Sequence, residues 1–262
     1  MPLVSYWDGP VKWLERLCVR SMREAGHPVI LFGHDVAALE REGLGASEIH
    51  DAREILAEDH PANRYRQAGA FQHFADVFRL ELLRQGRGVW TDMDCLMLKP
   101  IAPKEGYLFG RFNGDTLNNA VLMLPRGSAV LEAYYAGITA VPFRMPWSTP
   151  QRRLRRNLAI LMGEPLPDPR SRTNIGPRAL TYYVKRHGLF ERAEPPPVFY
   201  PVLSAQAQVL VDNDDRAAQR LIGDQAQVVH TWHGNLRHIG ALSQLPPPTS
   251  YLGQAWTRLG MS

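Results

Sequence analysis

The chain has 262 residues, 45% of them hydrophobic, and a formal net charge of +4 carried almost wholly by arginine rather than lysine. That length allows one large α/β domain or two small ones with a substantial core. Two cysteines, Cys18 and Cys95, exclude a disulfide framework; no apolar run nears 18 residues, and the first residues lack the basic-then-apolar order of a secretion signal.

The expectation is a single soluble, cytoplasmic domain over residues 1–262. Excess arginine raises the question of nucleic acid, but the basic-aromatic stripe of single-strand binders is missing, and base composition of the genome explains the bias. The dense cluster is "QRRLRRNL", residues 151–158. Arg152, Arg153, Arg155 and Arg156 read first as a solvated helix face, and second as a peripheral contact with the inner membrane or a lipid-linked acceptor.

In chain order, "PLVSYW" (residues 2–7) is a short strand closed by the turn signal "DGP". Trp13, Leu14, Leu17, Cys18 and Met22 follow at helical spacing up to Gly26, and residues 27–33 form a compact apolar strand. This β-α-β opening predicts a parallel sheet with crossover helices. Residues 50–59 read as a short helix or loop. In residues 68–86, Phe71, Phe74, Phe78 and Leu82 define an amphipathic helix, with Asp76 and Arg79 on one face. After Gly86 and Gly88 comes an extended segment, "VWTDMDCLMLKP". Strands are expected in "YLFGRF" and "NNAVLMLP", and a helix over residues 129–140. Residues 142–169 are weakly patterned. A helix spans 176–188 with an early proline, and "PPPVFYPV" and "AQVVHTWHGN" read as late strands or loops.

Asp92 and Asp94 sit one residue apart in an apolar run. In an extended chain their side chains share one side, ~6–7 Å apart by Cα, with Met93 facing away. Two converging carboxylates repel unless a cation accompanies them, and Mg²⁺ and Mn²⁺ prefer oxygen ligands. Ligands of open α/β sheets bind beyond the carboxyl ends of strands, which suits this position. A D-x-D triplet alone is weak, because chance produces many.

The surrounding 28 residues, "FADVFRLELLRQGRGVWTDMDCLMLKPI", resemble the DXD sugar-binding region of a large glycosyltransferase family. Ala75, Asp76, Arg79, Gly88, Asp92 and Asp94 stand at the family's spacing. "LNNAVLMLPRG" resembles the family's strand that lines the sugar pocket, and "TNIGPRALT" its Gly-Pro helix start. "VVHTWHGNL" resembles its C-terminal His-x-Trp, and "VSYWDGP" the strand whose aromatic residue packs on uracil. The chain departs from the pattern after His-x-Trp, with His233, Gly234 and Asn235 where many relatives carry Ser and Trp.

The resemblance implies a GT-A fold, an α/β Rossmann-like architecture with a single mixed sheet flanked by helices. It implies a metal-dependent, retaining hexosyltransferase that moves a sugar from a nucleotide-diphosphate donor, UDP-linked above others, to an acceptor hydroxyl in bacterial surface polysaccharide or glycan synthesis. The acceptor would be a glycan, a lipid-linked sugar or a small molecule, and nucleic acid is not an expected partner. The alternative is a non-catalytic nucleotide-sugar or glycan-binding protein of the same fold. A glycoside hydrolase with a metal-free carboxylate pair is a further rival. The resemblance makes Asp94 a direct Mn²⁺ or Mg²⁺ ligand, Asp92 a ligand through water, and His230 the third ligand, with His233 and His238 as substitutes. It places Asp76, Arg79, Asn118, Asn119, Gly176 and Pro177 around the sugar, and Trp7 on the base. Asp115 reads as a loop aspartate.

Overall fold

The structure is a computed structural model that describes residues 1–171 and 174–261. Its elements run β1 (Leu3–Tyr6), α1 (Trp13–Glu24), β2 (Val29–Gly33), α2 (Val36–Arg41), β3 (Glu48–Asp51), α3 (Asn63–Gln67), α4 (Phe71–Arg84), β4 (Val89–Thr91), β5 (Cys95–Met97), β6 (Leu108–Arg111), β7 (Leu117–Met123), α5 (Ala129–Thr139), α6 (Pro150–Leu161), α7 (Pro177–Arg186), α8 (Pro196–Phe199), α9 (Arg216–Leu221), β8 (Val228–His230), α10 (His233–His238) and α11 (Tyr251–Arg258).

The β-α-β opening folds as expected. β1 pairs in parallel with both β2 and β4, and β2 with β3, while β7 runs antiparallel to β4 and β6. The result is a mixed six-stranded sheet, β3-β2-β1-β4-β7-β6. Gly88 lets β4 come close to β1: its φ is +149°, and a Cβ there would stand 2.6 Å from the Pro2 carbonyl. On one face, α4 buries Phe74, Phe78 and Leu82 against Phe32 and Trp90. Phe71 opens the helix and stays exposed, so the apolar stripe starts one turn later than the spacing predicts. On the other side α1 docks by its apolar stripe, and its Ser21 Oγ accepts the Met97 N–H at 2.8 Å.

Several expectations need correction. β5 leaves the large sheet and pairs antiparallel with β8, forming a second sheet of two strands. The D-x-D segment is therefore a turn between sheets, with Met93 and Asp94 as its turn residues, not a continuous strand. Over residues 50–59 the expected short helix or loop is present as a 3-10 turn at Ala52–Glu54, but its first two residues close an edge strand, β3, whose half-polar "EIHD" hides its strand character. "PPPVFYPV" contains a short helix, α8, because prolines at its start pre-set helical φ. The weakly patterned middle holds the 12-residue helix α6. Among the described residues no helix is long and apolar enough to cross a membrane.

Candidate active site

The turn at residues 92–94 sits at the carboxyl end of β4, and each aspartate is held differently. The Asp92 N–H extends the ladder by donating to the Ala120 carbonyl at 2.7 Å. Its carboxylate accepts the Trp90 indole N–H at 2.6 Å and lies 3.3 Å from the Arg79 guanidinium. Burial pushes its pKa up; Arg79 opposes that shift and the neighbouring Asp94 reinforces it. Asp94 accepts the His233 backbone N–H on Oδ2 at 2.8 Å, and its Oδ1 lies 3.2 Å from His230 Nε2. Burial would raise Asp94, but His230 and the hydrogen bonds win, and its pKa falls.

Register places His230. In the β5–β8 ladder it stands directly opposite Cys95, so both side chains project from one face of the ribbon, beside the Asp94 turn. The chain then reverses through Trp232, which adopts a left-handed conformation (φ +60°). That costs a residue with a Cβ on the order of 1 kcal/mol. It aims the His233 N–H at Asp94, while the Trp232 indole anchors on the Val202 carbonyl at 2.8 Å. Of the three histidines, His230 alone meets Asp94 through its ring. The His233 ring faces Glu15, and His238 is exposed.

The residues fit a divalent ion. One ligand atom each from Asp94, Cys95 and His230 lies within 4.8 Å of the others. Ligands bonded at ~2.1 Å and roughly at right angles stand ~3 Å apart, and the Asp94–His230 separation is 3.2 Å. His230 Nδ1 is buried without a hydrogen-bond partner. Asp92 stands outside this trio, its carboxylate occupied by Trp90 and Arg79.

Asp76 and Arg79 are not a surface pair. Arg79 is buried and its donors are spent on the Ala75 and Asn119 carbonyls, Asp76 at 3.5 Å and Asp92 at 3.3 Å, with its guanidinium over the Trp90 ring. The Asn119 carbonyl faces this way because β7 is irregular: between the Phe109–Leu122 and Gly110–Asn118 pairs it bulges at residues 119–121. Asn118 Oδ1 accepts the Ala120 N–H at 2.8 Å, a local turn that shapes the bulge. Asn119 Nδ2 donates to Asp76 at 2.8 Å. Gly176 presses on that pair; a Cβ there would lie 2.7 Å from Asp76 Oδ1 and 2.9 Å from Asn119 Nδ2. Pro177 then starts α7, and the Tyr134 hydroxyl donates to the Ile175 and Gly176 carbonyls. Thr173, at the head of the "TNIGPRALT" stretch, lies outside the described residues.

Trp7 follows β1 and meets the His233 ring edge-on, centroids 5.6 Å apart. Behind it lies a residue that sequence reasoning missed. Glu15, fully buried on α1, accepts the Lys12 N–H at 2.7 Å and points its other oxygen at His233 Nε2, 3.2 Å away. Its signal was an acid three residues after Lys12, the capping position, inside an apolar stripe. Trp90, Cys95 and Tyr200 were also missed; Tyr200 is buried beside His230, with the two rings edge-on and their centroids 5.9 Å apart. Asp115 is exposed and paired to Lys185 at 2.7 Å, as a loop aspartate should be. Of the arginine cluster, Arg152, Arg153 and Arg155 are exposed, but Arg156 is buried and donates to the Glu164 carbonyl. The four arginines therefore do not form one surface.

Neither a protein-family model nor a curated protein matches the sequence. Among solved structures, the chain is similar to "PaToxG Glycosyltransferase", with a TM-score of 0.51 and 12% identity over 73% of this chain and 71% of that one. At such identity the likeness is one of fold: a mixed α/β architecture around a six-stranded sheet, of the GT-A type that the sequence predicts.

Proposed function

We propose that the chain is a metal-dependent, retaining glycosyltransferase that takes a nucleotide-diphosphate sugar, UDP-linked above others, and passes the sugar to an acceptor hydroxyl. The observation that carries the reading is the convergence of Asp94 and His230, 136 positions apart in sequence, at the strand-end turn after β4. The fold likeness to a glycosyltransferase supports it.

A divalent ion in this site supplies Lewis acidity to the departing diphosphate. Asp94 and His230 would hold it, with Cys95 as the neighbouring donor. Asp92, fixed by Trp90 and Arg79, would add negative charge to the site and offer a carboxylate to water or to the ribose. Asp76 and Asn119, locked together under Gly176, offer acceptors and donors to sugar hydroxyls. Arg79 acts on this arrangement from behind, as the strut that positions Asp76, Asp92 and the Asn119 carbonyl. Trp7 offers an aromatic face to the base, and Asn118 shapes the strand. In a retaining, same-face substitution the departing phosphate takes the acceptor's proton, so a protein base is not required.

Calorimetric titration with UDP tests the reading. With Mn²⁺ or Mg²⁺ present, UDP binds; after chelation the affinity falls at least tenfold. Equal affinity in both conditions contradicts it. Slow, metal-dependent hydrolysis of a UDP-sugar in the same preparation separates an enzyme from a binding protein.

A further inference from the structure

Helix α6 is inside out. Its Leu154, Leu158 and Leu161, spaced four and three apart and so on one face, are 61%, 52% and 82% exposed, and Met162 just beyond is 83% exposed. The polar residue of the helix that is buried is Arg156, turned inward to the Glu164 carbonyl. A helix packed for its own fold places leucine inward and arginine outward. Here the apolar stripe faces out, flanked by exposed Arg153 on one side and Arg155 on the other, and α6 contains no acidic residue.

We propose that α6 is an interfacial anchor that lays its leucine stripe into an anionic lipid bilayer, with Arg153 and Arg155 on headgroup phosphates. Charge decides the occupant. A second copy placed symmetrically on the stripe would bring the same arginines face to face, whereas an anionic surface satisfies them. At 12 residues the helix lies on a membrane and does not span it. Lipid partition rests on α6 alone, so its failure and the failure of the glycosyltransferase reading are separate results.

Co-sedimentation with phosphatidylcholine vesicles, with and without phosphatidylglycerol, tests this. The wild type partitions to the anionic vesicles. Leu154→Gln/Leu158→Gln/Leu161→Gln abolishes partition, with the melting temperature unchanged because the side chains are exposed. Arg153→Gln/Arg155→Gln removes the preference for phosphatidylglycerol, a loss of roughly 25-fold at about fivefold per basic residue. No partition by the wild type, or partition unchanged in both variants, overturns the proposal. So does a wild-type dimer in sedimentation velocity that the leucine variant turns into a monomer, since a second copy then covers the stripe.

Discussion

The Arg79 guanidinium lies 3.3 Å from the Asp92 carboxylate, and the same side chain reaches Asp76 and the Asn119 carbonyl. One buried cation thus ties α4 to β4 and to the bulge of β7. Arg79→Ala strips two buried carboxylates of their partner and should cost about 3–5 kcal/mol of folding free energy. Urea unfolding in the presence of chelator measures it. A loss within about 0.5 kcal/mol would return Arg79 to a marginal surface role.

The two aspartates should respond to neutralisation with opposite signs in metal-free protein. Asp94 is lowered to about 2 from 3.8, so its ionised form stabilises the fold above pH 4 and that contribution fades as the pH falls toward 2. Asp92 is raised to about 6, so its ionised form opposes folding at neutral pH, and the penalty is relieved as pH falls through 6. At pH 7 with chelator, Asp94→Asn should lose on the order of 2 kcal/mol, while Asp92→Asn, which keeps an acceptor for the Trp90 N–H, melts no lower than the wild type. Melting curves across pH 3–8 check both. A fall of equal size in both variants would show that burial does not separate the pair.

Gly176→Ala probes the sugar side. The added Cβ would stand 2.7 Å from Asp76 Oδ1, so Asp76 and Asn119 must shift, at a cost of about 1–3 kcal/mol. Sugar transfer should fall at least tenfold while metal and UDP affinity stay within twofold, read by calorimetry and turnover on one preparation. A matching loss of UDP affinity would place this turn at the nucleotide instead.

Glu15→Gln keeps an acceptor for the Lys12 N–H and removes the charge that faces His233. If that charge orients the imidazole beside Trp7 and the diphosphate, kcat should fall several-fold with little change in melting temperature, and Mn²⁺ affinity should hold. Unchanged turnover would make Glu15 a capping residue alone.

What the sequence showed depended on period. The β-α-β opening was legible because α1 and β2 carry clean apolar patterns, and α4 because Phe74, Phe78 and Leu82 mark one face. The D-x-D turn was read as strand because its flanks, β4 and β5, are both strands; nothing local announces that they join different sheets. β3 stayed hidden because an edge strand needs little apolar content. α6 was obscured by its inverted pattern, leucine outward and arginine inward. The Cys95–His230 pairing is a long-range register that no local spacing shows; the family resemblance brought His230 to the aspartates, and Cys95 went unnoticed. Glu15 escaped because an acid in a helix's first turn usually meets solvent.

The most direct test of the account is Mn²⁺ binding itself, followed by the loss of the free-ion electron paramagnetic resonance signal on titration with protein and UDP. The account predicts one equivalent bound by the wild type. Asp94→Asn and His230→Ala should each weaken binding at least tenfold while circular dichroism shows the fold intact. Wild-type Mn²⁺ affinity in either folded variant would contradict the assignment of Asp94 and His230 as the metal site, and with it the proposed chemistry.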